Sequence, residues 1–98
     1  PQSLAADPAG NYLYAANVTS NNKVTPYAIG GGALAAGAPV AAGDLPASIV
    51  VDPMGQFAYT ANFNSGDVSV FRVNTSNGEL TTVGTFSARG GARSIAID

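Results

Sequence analysis

Three aspartates stand at matching places in this chain, Asp7, Asp52 and Asp98, and two arginines, Arg89 and Arg93, flank a Gly90-Gly91 pair. Recurrent carboxylates could close an acidic ring around a cation. The first two, however, each open an Asp-Pro-x-Gly sequence, in which the side-chain oxygen accepts a hydrogen bond from its own turn, so turn capping is their expected role. The arginines carry a planar donor fork that suits a carboxylate or a phosphate, which makes Arg89 and Arg93 the candidate ligand-binding residues. Gly90-Gly91 is no phosphate loop, because no helix follows to supply a positive N-terminus. Hydrolysis needs a positioned general base or an activated water. The chain has no His and no Cys, and its one glutamate is Glu79. No catalytic residue, metal-ligand set or cofactor site is therefore identified. Asn17-Val18-Thr19 and Asn74-Thr75-Ser76 fit the glycosylation acceptor pattern, an unsurprising match in a chain this rich in Asn, Thr and Ser.

The elements that carry these residues repeat. Pro1 to Asn17, PQSLAADPAGNYLYAAN, recurs as PASIVVDPMGQFAYTAN from Pro46 to Asn62, and Ala92 to Asp98 opens the pattern a third time. The middle blocks match as well: Lys23 to Ile29 with Asp67 to Val73, and Gly32 to Val40 with Gly78 to Phe86. A period in this range points to propellers or solenoids. Each copy reads as four strands by alternation and by the turn residues at their ends. Strand A spans about Ser3–Ala6 and Ser48–Val51, B about Tyr12–Ala16 and Phe57–Ala61, C about Val24–Ile29 and Val68–Val73, and D about Ala33–Val40 and Glu79–Phe86. A third A strand is expected at Ser94–Ile97. Asp, Pro and Gly at the first, second and fourth positions favour a type I turn, so A and B should form a tight hairpin. Strands B and C carry apolar residues on both parities, so both faces of each sheet should be covered, as in a propeller blade held between neighbours.

The fold class expected is thus all-β, with blades at 1–45 and 46–91 and the inner strand of a further blade at 92–98. Tyr12, Tyr14, Phe57, Tyr59 and Val70 should be buried, and Leu80 and Val83 should lie exposed on an outer strand. Pro26, which stands where the second copy has Val70, cannot donate a ladder bond and should bring a bulge or a missing hydrogen bond.

The pattern Pro-x-Ser-Ile-x-x-Asp-Pro-x-Gly-x-x-x-Tyr-x-Ala-Asn, then Val-Ser-Val-Phe, then Asn-Gly-Glu-Leu, resembles the YVTN β-propeller repeat of prokaryotic surface proteins and of lactonase-type propellers similar to 6-phosphogluconolactonase. The resemblance covers nearly the whole chain, and the second copy is closer to it than the first. It implies a ring of about seven blades, with strand A lining the channel and D outermost. It also implies that Arg89 and Arg93, in the connection from D back to A, sit near the channel mouth where such propellers hold ligands.

Only 10% of the residues are charged and the net charge is −2. Nucleic acid is excluded as a partner for want of a basic stripe. No apolar run approaches the roughly 18 residues of a membrane span, and no signal segment opens the chain. The composition suits the exterior of a prokaryotic cell. The low charge and the closeness of the two copies favour a non-catalytic scaffold for binding or assembly; the alternative is a fragment of a lactonase-type enzyme whose catalytic residues stand on other blades. The chain opens at Pro1 without Met, so preceding residues are expected. Two blades leave two broad faces uncovered, so the expected partners are further blades of the same polypeptide or identical copies of this chain.

Overall fold

The computed structural model describes residues 3–17, 22–30, 33–43 and 46–87, and among these every regular element is a strand. Nine strands, β1 (Ser3–Ala6), β2 (Tyr12–Asn17), β3 (Lys23–Gly30), β4 (Ala33–Ala36), β5 (Val40–Ala41), β6 (Pro46–Val51), β7 (Phe57–Asn62), β8 (Asp67–Val73) and β9 (Leu80–Ser87), form two antiparallel sheets. The first runs β1-β2-β3-β4 with β5 also on β3, and the second runs β6-β7-β8-β9. Both follow the expected A-B-C-D meander, with the D position of the first shared by β4 and β5, which establishes the all-β, propeller-blade architecture. The expected third A strand, 92–98, lies outside the described residues.

The Asp-Pro-x-Gly turns form for the reason their residues suggest. Gly10 N–H donates to Asp7 C=O and Gly55 N–H to Asp52 C=O at 3.0 and 2.9 Å, and both glycines hold φ above 70°, a left-handed conformation that costs glycine little. The aspartate side chains finish each turn. Asp7 Oδ1 accepts from the Asn11 and Tyr12 amides, and Asp52 Oδ1 accepts from Gln56.

Pro26 sits in register opposite Tyr14 without disturbing β2. Its effect falls on the other side, where the fourth strand is split: β3 pairs with β4 as far as Tyr27↔Ala36 and with β5 from Val24↔Val40. The second sheet breaks register at the equivalent place, between Val70 and Phe71 on β8. A valine there does not prevent the irregularity, so proline alone is not its cause.

The sheets stack face to face. Tyr14, Ala16 and Val24 of the first blade pack with Ile49, Ala58, Phe71, Val73 and Leu80 of the second. The inner strands are tied where Ile49 N–H donates to Ser3 Oγ at 3.3 Å.

Burial differs from the sequence expectation in an instructive way. Tyr14 is buried, but Tyr12, Phe57, Tyr59 and Val70 are only partly covered, while Leu80 is buried and Val83 exposed. Phe57, Tyr59 and Val70 lie on the face of the second blade that turns away from the first, and Leu80 lies on the face that meets it. Burial here follows which neighbour is present, not which strand is outermost.

Candidate functional site

In a meander the turns alternate between two ends of the sheet. The A–B and C–D turns share one end; the B–C turns share the other with the connection that leads from one blade to the next. Each end brings together a group of polar residues.

At the turn end, the two Asp-Pro-x-Gly turns lie side by side and enclose a groove of about 200 Å³ with Asn11, Tyr12, Met54, Val73 and Thr75 among its lining residues. Two of its polar side chains, Asp7 and Tyr12, already have partners. Asp7 caps its own turn, and Tyr12 donates its hydroxyl across the seam to Ser76 C=O at 3.1 Å. Deeper in, Tyr14 donates to Gly78 C=O at 2.9 Å. Burial, reinforced by the negative Asp7 carboxylate and by Tyr12, pushes the Tyr14 hydroxyl up to about 12, so it stays a protonated donor. The C–D loop offers those carbonyls because it is tightly wound: Ser76 N–H donates to Asn74 Oδ1 and Gly78 N–H to Asn74 C=O. Gly78 has φ +78, and a Cβ there would strike the Tyr12 ring. The groove is a seam that joins two blades.

At the other end stands a polar cluster that sequence reasoning missed. Asn62, wholly buried, donates through Nδ2 to Asp67 Oδ1 at 2.8 Å and Ser69 Oγ at 2.9 Å, and its Oδ1 accepts from Thr60 Oγ1 at 3.1 Å. Ser65 Oγ donates to the same Asp67 oxygen, and Ser69 Oγ accepts from Gly43 N–H on the connection between blades. The recurrent Asn17 and Asn62 are the last residues of β2 and β7, and among the described residues only Asn22 has positive φ without being glycine. Asn62 instead holds Ser69, whose Oγ receives the Gly43 amide of the incoming connection. Asn17 makes the matching bond to Thr25 Oγ1 at 3.1 Å. The available signal was the pairing of each asparagine with a hydroxyl residue two places into the next strand.

Of the sequence-predicted residues, Arg89, Arg93 and Asp98 lie outside the described residues. Strand β9 ends at Ser87, opposite Asp67 in register and so at the Asn62 end. The aspartates Asp7 and Asp52 cap separate turns and form no common site, and Glu79 is exposed just before β9. Among the described residues no three His, Cys, Asp or Glu side chains gather closely enough to hold a metal ion.

The family model described as "Lactonase, 7-bladed beta-propeller" matches residues 1–96, and the chain belongs to that family. No curated protein matches it. Among solved structures it is similar to a candidate 6-phosphogluconolactonase from Bacteroides uniformis, at 25% identity and TM-score 0.85 over 97% of this chain and 29% of that one. It is also similar to a gluconolactonase from Xanthomonas campestris, at 25% identity and TM-score 0.65 over 94% and 29%. The periplasmic gluconolactonase of Pseudomonas aeruginosa shares the fold at 22% identity and TM-score 0.83 over 91% and 26%. The chain thus spans less than a third of these proteins. The family corrects the expectation of a non-catalytic scaffold: what favoured that reading, the low charge and the likeness of the two copies, describes only these blades, whereas a propeller's chemistry need not be shared among all of its blades.

Proposed function

We propose that this chain supplies two adjacent blades of a lactonase-type propeller that hydrolyses a sugar lactone, with the general base on other blades. The observation that carries this reading is the lactonase family match over residues 1–96. Opening a lactone needs water delivered to the ester carbon by a base and a donor for the oxygen that gains charge. The aspartates among the described residues suit the first task poorly, since Asp7, Asp52 and Asp67 each accept hydrogen bonds that hold a turn or a joint together. The part this segment takes is substrate binding: Arg89 and Arg93, in the stretch that follows β9, suit the carboxylate or phosphate of a sugar acid. The low charge supports a location outside the cytoplasm, checked by cell fractionation.

The test uses the full polypeptide that carries this segment. Hydrolysis of gluconolactone and of its 6-phosphate is followed by proton release and corrected for the spontaneous rate. Turnover well above background is expected, with Arg89→Ala or Arg93→Ala raising KM about tenfold or more for the phosphorylated lactone while leaving kcat close to wild type. Rates no faster than spontaneous opening of either lactone would overturn the proposal.

A further inference from the structure

The C–D loop of the second blade holds the one asparagine in this sequence that glycine follows, Asn77-Gly78. Such a pair is chemically labile. Once its proton has left, the glycine nitrogen can attack the asparagine side-chain carbonyl carbon, because the following residue has no side chain to stand in the way. A new C–N bond closes a cyclic imide and the bond to the side-chain amide nitrogen breaks. That nitrogen leaves as ammonia, taking up the proton that the backbone gave. Water then opens the imide at one carbonyl or the other, giving aspartate or isoaspartate, and no co-reactant but water is consumed.

The seam between the blades imposes this pair. Gly78 holds φ +78, and a Cβ there would strike the Tyr12 ring, so a bulkier residue that would slow the attack does not fit. The seam also restrains the pair. Gly78 N–H donates to Asn74 C=O at 2.6 Å, and closing the imide removes that N–H, so the loop must first give up the bond. Asn77 Oδ1 accepts from the Glu79 amide at 3.0 Å, which fixes the side chain under attack. Gly78 is buried with its C=O on the Tyr14 hydroxyl at 2.9 Å, and Ser76 C=O takes the Tyr12 hydroxyl at 3.1 Å. Two tyrosines of the first blade thus clamp the carbonyls on either side of Asn77, while Asn77 itself is exposed to the water that completes the reaction.

We propose that Asn77 is a site of self-catalysed deamidation gated by the seam: it stays an amide while the first blade is closed on the C–D loop and converts when the loop is released. Isoaspartate adds a backbone methylene between residues 77 and 78 and carries Gly78 C=O away from the Tyr14 hydroxyl, so the change, once made, loosens the same seam. The site asks nothing of lactone chemistry, and its readout is mass, not activity.

The full polypeptide that carries this segment is held at mildly alkaline pH, folded and in urea. The tryptic peptide Val73–Arg89, released after Arg72 and Arg89, is followed by mass spectrometry, with isoaspartate scored by isoaspartyl methyltransferase. Fragmentation should place the change at Asn77 and not at Asn74. Conversion should be about tenfold or more slower in the folded protein than in urea, since it proceeds there only through local opening. Tyr14→Phe, which takes the hydroxyl from Gly78 C=O, should speed the folded reaction about fivefold or more by raising the open population. Circular dichroism should be unchanged and the rate in urea unaltered. If Tyr14→Phe does not fold, Tyr12→Phe, which frees Ser76 C=O, carries the same test. Equal rates folded and in urea, a tyrosine variant no faster than wild type, or conversion at Asn74 in place of Asn77 would overturn the proposal.

Discussion

Tyr14 shows how a single hydroxyl can join two blades. Its ring fills the seam, and its proton reaches a C–D carbonyl that would otherwise be buried without a partner. Replacing it with phenylalanine keeps the ring and orphans Gly78 C=O, at a cost of about 1–2 kcal/mol in urea unfolding. The pH dependence follows from the raised hydroxyl. Its folded pKa of about 12 lies above the unfolded value near 10, so the folded state holds its proton more tightly. The contribution is fully present below about pH 10 and is lost as pH rises from there towards 12, a fall on the order of 2 kcal/mol. Tyr14→Phe should lack that part of the alkaline decline. Equal alkaline slopes in both proteins would show that the seam does not hold Tyr14 protonated.

At the scale of the element, the decisive piece is the connection between blades and the asparagine that receives it. Gly43 is needed there for closeness, not for an unusual backbone angle: a Cβ would come within 2.7 Å of Asn62 Nδ2, Asp67 Oδ1 and Ser65 Oγ. Gly43→Ala must push the connection out or break the Asn62 bonds, and a buried amide without partners costs about 1–3 kcal/mol. Thermal unfolding should register that loss, and Asn62→Ala should make the alanine at position 43 less damaging. Additive losses in the double variant would mean that the two do not meet as described. The turn-end elements need no such partner. Asp-Pro-x-Gly carries its acceptor, its fixed φ and its left-handed residue within four positions, which is why it was legible from the sequence and the Asn62 joint, assembled from three separate segments, was not.

For the molecule as a whole, two leucines at the same repeat position should behave differently. Leu80→Ala removes a buried side chain from the interblade core and should cost about 2–4 kcal/mol. Leu34→Ala, at the counterpart exposed in these two blades, should stay within about 0.5 kcal/mol when both are measured in the 98-residue chain. Similar losses at both would mean that the stacking of the blades is not what stabilises them. The contrast also explains the misjudged burial of Phe57, Tyr59 and Leu80. Alternation along a strand says that two faces differ, and it is silent on which of them has a neighbour.

The sequence alone determined the repeat, the four-strand blade, the hairpin turns and the membership of a propeller family, because each rests on residues close together in the chain or on the period between copies. Tertiary structure decided the rest. It showed which parity of each strand meets the other blade, that the tyrosine hydroxyls bond carbonyls 64 residues away, and that Asn62 holds the Ser69 hydroxyl that meets a connection arriving from the preceding blade. These contacts depend on how two sheets are placed against each other, and no spacing within one strand encodes that placement.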